Sequence, residues 1–482
     1  MIDWFVYDPK APLLFSTSLF MGLFLAFYLI YICTYNFNRF RTVYVLLFSF
    51  FFYYKAGGMY FILLIVASIL NYFLSKFLHK EKKPEKRKVL LTILVVINLG
   101  ILAYYKYTNF IIGNINAVFN GDIPLQNIIL PIGISFFLFQ AISYAIDVYR
   151  KQIEPASNLL DFSFYLCFFP QLVAGPIVRA KEFLPQMYKK LILTKEDMGK
   201  ALFLIMVGLI KKSVISDYIS LNFVDRVFGA PNSYTAIENL LAAYGYAIQI
   251  YCDFSGYSDM AIGLALLMGF KLPVNFLTPY KSKSVTEFWR RWHISLSSWL
   301  RDYLYISLGG NRRGKVRTYV NLFLTMLIGG LWHGAAWRFV VWGGLHGIAL
   351  AIERLIKSRI KIPQNIFTHF IGLILTFHFV TFAWVFFRAQ DFSTAMELIG
   401  MVSKIDFEAE HWISVVAAYK NVMIVLLTGF IMHFLPDRFV RWLQKIFTDM
   451  PIIAKALVIG LVLWLVHATA SSEIQPFIYF QF

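Results

Sequence analysis

The sequence predicts an all-α polytopic membrane protein, on two observations. First, the chain of 482 residues is 59% hydrophobic and 18% aromatic but only 15% charged, which is too apolar for a soluble domain of this length. Second, several apolar runs reach the roughly 20 residues that a helix needs to cross the hydrocarbon core. Lipid offers no partner to backbone N–H and C=O groups, so these runs are expected to be helical. They are residues 12–34, 56–75, 89–105 and 366–387.

The clusters of Lys and Arg predict how the chain is oriented. Residues 36–41 and 76–88 are basic connections, and we expect them on the cytoplasmic side. One helix precedes the first connection and two helices separate it from the second, so the N-terminus is expected outside. Residues 108–128 carry no Lys or Arg and residues 391–410 are acidic, so both are expected as external loops. We therefore expect a multi-pass membrane protein without a cleavable signal peptide.

The formal net charge of +18 has a similar explanation. The basic residues lie between apolar runs and form no separate domain, so we expect no nucleic-acid partner. Short basic loops instead meet anionic lipid headgroups on the cytoplasmic side. The three cysteines are scattered through apolar runs and predict neither a disulfide framework nor a metal site.

An apolar segment over residues 161–178 predicts a re-entrant element, because basic residues flank it on both sides. Pro170 and Gly175 supply the break at which such a segment turns around. Helices are expected after it, over residues 200–224 and 238–270.

The stretch GGLWHGAAW, residues 329–337, places His333 between glycines and tryptophans. Basic residues on both sides predict a helical hairpin with two cytoplasmic ends. The apolar run before it, residues 318–331, is about 14 residues or ~21 Å as a helix, against a hydrocarbon core of ~30 Å. We therefore expect His333 at a tip inside the bilayer, where an ionisable group is a candidate functional residue. Gly330 and Gly334 either leave room for a substrate or let helices pack tightly.

A second candidate, His293, lies in a predicted helix over residues 289–304. Helical projection places Trp292 and His293 on an apolar face, with Arg290 and Arg291 on the opposite face. This pattern predicts an interfacial helix on the cytoplasmic surface or against the helical bundle. His293 is either a packed histidine or a functional one. On an apolar face a charged imidazole is disfavoured, and a neutral imidazole can form a hydrogen bond.

Two aspartates, Asp253 and Asp259, lie in the apolar stretch YCDFSGYSDMAIG. They occupy different faces of a helix, so they do not predict a paired-carboxylate site. Structural hydrogen bonding, or pairing with a buried arginine, is the expected role. His346 is expected to be a packed histidine.

The loop LGGNRRGK either grips the phosphates of an anionic donor through Arg312 and Arg313 or is a plain basic cytoplasmic loop. No serine-hydrolase, zinc-protease or nucleotide-binding motif is present in the sequence. We therefore expect neither a metal site nor a bound cofactor.

Five stretches together resemble the membrane-bound O-acyltransferase superfamily, and most closely its bacterial alginate O-acetyltransferase branch. They are FFPQLVAGPIVR, YCDFSGYSDMAIG, FWRRWHISLSSWLRDYLYISLGGNRRG, GGLWHGAAW and the terminal PFIYFQF. The resemblance implies one integral-membrane domain over residues 1–482, with its characteristic region at about 130–350 and further membrane helices over 351–482. It implies about eleven membrane helices, with re-entrant and interfacial helices, around a central reaction chamber. About a dozen residues precede LLFSTSLF, the usual opening of the family, and the resemblance assigns them no role.

The resemblance also implies a location, the bacterial inner membrane, and an activity. His333 would be the catalytic histidine, and His293 the second histidine lining the chamber. The enzyme would move an acyl group, expected to be acetyl, from a cytoplasmic thioester to a hydroxyl of an exported or cell-wall polysaccharide, directly or through an extracytoplasmic partner protein. The donor would be acetyl-CoA or a carrier protein with a phosphopantetheine arm. The residues expected to bind substrate are Arg290, Arg291, Trp292, Arg312, Arg313 and Trp332.

Three alternatives remain open from the sequence. Within the same fold, the enzyme could be a D-alanyl transferase for teichoic acids. Outside it, a transporter or flippase would line a permeation path with the buried charges, and a scaffold would only assemble an export complex. The lack of an internal repeat disfavours a transporter.

Overall fold

The computed structural model describes residues 6–173, 175–469 and 475–478, and across these residues the chain is helical without a β-strand. The predicted all-α class is therefore confirmed. The chain divides into two compact units, one taking the residues up to 205 together with 260–273, and the other taking 206–259 and the residues from 274 onward. The first residues of the N-terminal extension and the last residues of the PFIYFQF stretch lie outside the described part.

The first unit contains helices from the N-terminal half of the chain. They are α1 Ser18–Thr34, α2 Asn38–Gly57, α3 Phe61–Lys80, α4 Pro84–Leu102, α5 Thr108–Phe119, α6 Ile134–Tyr149, α7 Leu159–Cys167, α8 Phe169–Leu172, α9 Ala180–Tyr188 and α10 Lys195–Leu209, whose last turn enters the second unit. The two helices predicted between the first basic connections are confirmed as α2 and α3.

The segment predicted to be re-entrant is broken and buried, as its proline and glycine indicate. It forms α7 and α8, which are too short to cross a bilayer as one helix. Pro170 lies in the first turn of α8, where its missing N–H costs no helical hydrogen bond. A Cβ added to Gly175 would come within 2.4 Å of Gln171 Cα, so no larger residue fits the turn. Phe169 of α8 packs into an aromatic core, with its ring centroid 5.1 Å from Phe48.

Two predicted external loops contain helix instead. The π-helical turn Ala103–Tyr107 links α4 to α5, so most of the stretch predicted as a loop continues the helix. In the second unit, Phe392–Val402 is also helical. Both predictions rested on charge, which reports the side of the membrane but carries no information on whether the backbone is hydrogen-bonded.

The second unit contains the stretches FWRRWHISLSSWLRDYLYISLGGNRRG and GGLWHGAAW and the C-terminal helices. Its helices are α11 Asp217–Ile219, α12 Asp225–Gly229, α13 Ala236–Leu267, α14 Val285–Arg291, α15 Ile294–Trp299, α16 Lys315–His333, α17 Trp337–Arg359, α18 Ile366–Arg388, α19 Phe392–Val402, α20 Ala409–Ala418, α21 Lys420–Phe434, α22 Asp437–Asp449 and α23 Ile452–Thr469. The C-terminal end of α13 belongs to the first unit.

Three π-helical segments interrupt the helices of this unit, at Ile210–Ser216, Ser220–Val224 and Leu300–Tyr305. Such segments are rare and often accompany functional sites. The first two flank α11, so the helix predicted over residues 200–224 is confirmed in position but does not keep α-helical geometry throughout.

Five helical stretches among the described residues are long and apolar enough to span a membrane, or six if the bent pair α20 and α21 forms one span. They are Asn38–Lys80, Pro84–Phe119, Trp337–Arg359, Ile366–Arg388 and Ile452–Thr469. A multi-pass membrane protein is therefore confirmed, whereas a total of about eleven membrane helices stays a prediction.

Candidate active site

The predicted hairpin around His333 is present. Helix α16 ends at His333, and α17 begins at Trp337. However, α16 begins at Lys315 and so is about 28 Å long at 1.5 Å per residue, close to the ~30 Å of a hydrocarbon core. The expected shortness of this helix is wrong, because basic residues of the preceding loop form its first turn. The depth of His333 in a bilayer stays a prediction.

Glycines bring the two helices of the hairpin into close contact. A Cβ on Gly330 would lie 2.3 Å from the carbonyl oxygen of Phe339, and one on Gly343 would lie 2.4 Å from that of Met326. At the tip, a Cβ on Gly334 would lie 2.0 Å from the ring of Phe339. Of the two interpretations of the glycines, the structure supports tight helix packing over room for a substrate.

This packing places His333 in an aromatic surround. The imidazole is buried, and its ring centroid lies 5.0 Å from those of Trp332 and Trp342 and 5.4 Å from that of Phe387. Phe387 belongs to α18, so three helices enclose the histidine. Trp337 of the same stretch is largely exposed and forms no wall of this site.

His293 lies at a break in the helix that was predicted to be continuous. Helix α14 ends at Arg291 and α15 begins at Ile294, and His293 between them has a φ of 42°. This left-handed conformation is uncommon for a residue other than glycine, and it is found where the surroundings enforce it. Ser295, two residues after the break, is buried.

A buried asparagine, Asn275, enforces that conformation. Its Oδ1 accepts hydrogen bonds from the backbone N–H and the hydroxyl of Ser295, at 3.2 and 2.9 Å. The same oxygen lies 3.2 Å from Nδ1 of His293, and the carbonyl oxygen of Asn275 accepts the backbone N–H of Ile294 at 2.9 Å. Sequence analysis missed Asn275, because no pattern in its own neighbourhood distinguishes it.

Trp332 joins the two histidines. Its ring centroid lies 5.0 Å from that of His333 and 6.2 Å from that of His293. Phe254 covers His293 from α13, with ring centroids 4.7 Å apart. His293 is fully buried, and burial lowers its pKa to about 3, so its imidazole is neutral at physiological pH. The structure therefore brings the two predicted histidines into one buried aromatic cluster.

Of the residues expected to bind substrate, the tryptophans lie in this cluster and the arginines lie toward the surface. Trp292 is fully buried, with its ring 4.9 Å from that of Trp384. Arg291 forms an ion pair with Glu287 at 2.8 Å and is half-buried.

The remaining three arginines, Arg290, Arg312 and Arg313, are exposed. They are therefore open to an anionic donor, and that role stays a prediction.

The two aspartates of the apolar stretch pair with lysines of a π-helical segment. Lys212 Nζ lies 2.7 Å from carboxylate oxygens of both Asp217 and Asp253. Lys211 Nζ lies 2.7 Å from Asp259 Oδ2. The expected structural pairing is confirmed, but the cation is lysine and not arginine. Two adjacent lysines inside an apolar helix were the signal that sequence analysis overlooked.

His346 is packed as expected, and its Nδ1 accepts the indole N–H of Trp289 at 3.2 Å. It is fully buried.

The stretches that carry His293 and His333 lie within a region that matches a known protein family. The sequence model of the membrane-bound O-acyltransferase family matches residues 46–391. The chain belongs to this family. As a membrane-bound O-acyltransferase it is an enzyme, so the expected acyl-transfer activity is confirmed, and transport or scaffolding alone is not its expected role.

Several relatives of this chain are named for an activity. The probable alginate O-acetylase AlgI of Pseudomonas syringae pv. tomato is 43% identical over 397 residues, covering 80% of this chain and 74% of that protein. The peptidoglycan O-acetyltransferase of Helicobacter pylori is 38% identical over 361 residues, covering 69% of this chain and 68% of that protein. The teichoic acid D-alanyltransferase of Bacillus subtilis is 32% identical over 287 residues, covering 56% of this chain and 71% of that protein.

Proposed function

We propose that this membrane-bound O-acyltransferase transfers an acetyl group from a cytoplasmic thioester, acetyl-CoA, to a hydroxyl of an exported or cell-wall polysaccharide. The observation that carries the proposal is the buried pair of His333 and His293 on either side of Trp332. The relatives that act as O-acetyltransferases or probable O-acetylases match two thirds or more of this chain, which supports acetyl as the group transferred.

In this proposal His333 is the general base. Its imidazole removes the proton from the acceptor hydroxyl as the oxygen attacks the thioester carbonyl. A C–O bond forms, the C–S bond breaks, and the proton passes from the imidazolium to the departing thiolate. One thioester and one alcohol become one ester and one thiol. The aromatic surround of His333 excludes water, which would otherwise hydrolyse the thioester.

The donor is proposed to enter from the side of the basic loop that precedes α16. Arg312 and Arg313 are exposed there and suit the phosphates of a coenzyme. The acceptor is proposed to arrive from the opposite side, directly or on an extracytoplasmic partner protein. The proposal includes basic loops inside the cell, an N-terminus outside it and an enzyme of the inner membrane.

A second candidate within the family is transfer of D-alanine to a teichoic acid from a carrier protein. It is favoured by the likeness to the D-alanyltransferase, which covers less of this chain than the acetylating relatives do. The two are separated by the acyl group found on envelope polymers of cells with and without this gene. Acetyl on alginate or peptidoglycan supports the proposal, and D-alanine on teichoic acid overturns it.

The role of His333 is tested by His333→Gln in purified protein reconstituted in nanodiscs, with acetyl-CoA as donor and alginate or peptidoglycan as acceptor. Thiol release and ester formation should both fall by about 10²-fold or more, the usual contribution of a general base. The matched control is His433→Gln, another buried histidine, whose Nε2 accepts the backbone N–H of Tyr280 at 3.1 Å. The control should keep its rate per folded protein. Wild-type rates in the His333 variant would refute the general-base role.

A further inference from the structure

Asn275 lies where α13 meets the loop that carries His293. It is 1% exposed, and its Nδ2 donates to the hydroxyl of Ser258 on α13 at 3.3 Å. Its Oδ1 accepts the backbone N–H of Ser295 and lies next to Nδ1 of His293. Its backbone carbonyl oxygen accepts the backbone N–H of Ile294. The side chain and the backbone of Asn275 thus contact three consecutive residues, His293, Ile294 and Ser295.

The orientation of the Asn275 amide is determined by these contacts. The two ends of an asparagine amide look alike, so their assignment follows from the partners. The backbone N–H of Ser295 can act only as a donor, and it points at the atom assigned as Oδ1. The opposite orientation would set the amide NH₂ against that N–H. The acceptor oxygen therefore faces the loop.

That orientation determines where the proton of His293 resides. A neutral imidazole carries its proton on one nitrogen and a lone pair on the other. Nδ1 of His293 lies 3.2 Å from Asn275 Oδ1 and 3.4 Å from the hydroxyl oxygen of Ser295. The amide oxygen only accepts, and the Ser295 hydroxyl donates its proton to that oxygen at 2.9 Å, so Nδ1 is the donor to both. The lone pair of the imidazole is then on Nε2.

Backbone hydrogen bonds to Asn275 also help to hold His293 in place. A left-handed conformation at a residue with a side chain costs about 1–2 kcal/mol, so His293 needs support to keep its φ of 42°. The hydrogen bonds from Ile294 and Ser295 to Asn275 hold the two residues that follow the histidine. The position of the ring and the position of its proton therefore depend on one side chain.

We propose that Asn275 is a positioning residue for acyl transfer, which holds the ring of His293 in place with its proton on Nδ1 and its lone pair on Nε2. The inference rests on the proposed function in one respect, that His293 belongs to the acyl-transfer site. It adds the hydrogen-bond acceptor that selects the histidine tautomer.

The tautomer is measured without any substrate. Solid-state NMR of protein labelled with ¹⁵N-histidine separates protonated from bare ring nitrogens, and the chain has 9 histidines. Comparison with His293→Gln assigns the signals of His293. Wild-type protein should show a protonated Nδ1 and a bare Nε2, and Asn275→Leu, which removes the acceptor at similar volume, should lose that preference. A protonated Nε2 in the wild type, or an unchanged spectrum in the variant, would overturn the inference.

The consequence for catalysis is measured with acetyl-CoA as donor and alginate or peptidoglycan as acceptor. Asn275→Leu should lower kcat about 10- to 100-fold, the usual cost of losing a group that orients a functional imidazole, with little change in KM for acetyl-CoA. Asn275→Asp keeps an acceptor oxygen and should recover part of kcat. Its carboxylate favours the imidazolium form of His293, so the ¹⁵N signals of the His293 ring should titrate at higher pH than in the wild type. An unmoved titration of His293 in a folded Asn275→Asp protein would contradict the positioning role.

Asn239→Leu is the matched control. Asn239 is also fully buried, and its Nδ2 donates to backbone carbonyls of Pro231, Tyr234 and Thr235, away from His293. It should lose thermal stability but keep kcat per folded protein. An equal loss of kcat in Asn239→Leu would make the effect of Asn275→Leu a general packing effect and overturn the inference.

The outcomes also separate this inference from the proposed function. If wild-type protein transfers no acetyl group, or if His293→Gln transfers it at the wild-type rate, the proposed site is wrong, and the NMR result still decides the tautomer. If His293→Gln is impaired while Asn275→Leu is not, the site stands and the positioning role is wrong.

Discussion

Substitution of Gly330 by alanine tests whether the hairpin glycines exist for packing. The added Cβ would lie 2.3 Å from the carbonyl oxygen of Phe339 and 3.0 Å from Cα of Gly343. Both neighbours are backbone atoms, so α17 must move away by about 1 Å for the contact with the carbonyl oxygen to reach an ordinary distance. We expect a loss of about 1–3 kcal/mol, as for overpacking elsewhere. The shift also carries Trp342 away from His333, so kcat should fall.

The matched control is Gly344→Ala, on the same hairpin. Its Cβ would lie 3.8 Å from Leu327 Cδ1, an ordinary contact, and alanine favours a helix over glycine by up to about 1 kcal/mol. The fraction of monodisperse protein remaining after heating, and kcat with acetyl-CoA, are measured for both variants. If Gly330→Ala is as stable as Gly344→Ala and only KM for the acceptor rises, the glycine provides room for substrate and the packing explanation is refuted.

Lys212→Met removes the cation from the buried Asp253 and the partly buried Asp217 and should destabilise the protein by about 3–5 kcal/mol. Lys357→Met removes an exposed ammonium that pairs with Glu353 at i,i+4 and should cost less than about 1 kcal/mol; equal melting temperatures of the two variants would contradict this. Arg312→Gln combined with Arg313→Gln should raise KM for acetyl-CoA without changing kcat, and an unchanged KM would identify a plain basic loop. His293 has a pKa of 6.5 when unfolded and about 3 when folded, so the unfolded state binds more protons in that interval. Stability of the wild type should therefore fall as the pH drops from 6.5 toward 3, and fall less in His293→Gln, as thermal unfolding at several pH values will show.

Much of the candidate site follows from short stretches of sequence. Hydropathy predicts the membrane class because it depends on composition alone, and the alternation of tryptophans predicts the apolar face of residues 289–304. His333 stands out because an ionisable group in an apolar hairpin is costly. Charge predicts the hairpin around it, since both flanks are basic. Each of these properties is local, and the structure retains them.

The break at His293 could not be predicted in this way. Helical projection assumes a continuous helix, and residues 289–304 satisfy it. The break depends on Asn275, whose hydrogen bond to Ser295 spans 20 positions of the chain. Likewise, the amino-acid sequence leaves two roles open for Gly330. Room for a substrate and close contact with a neighbouring helix both require a residue without a side chain.

By itself the sequence determined that the chain is a helical membrane protein and which two histidines to consider, since hydrophobicity and periodicity act over a few neighbouring residues. Only the tertiary structure decided which residues meet. It set Trp332 between the two histidines, paired Lys212 with Asp253, and brought Asn275 to His293. Hydrogen bonds and ion pairs act over about 3 Å, so their partners are determined by how distant segments pack and not by how they are ordered along the chain.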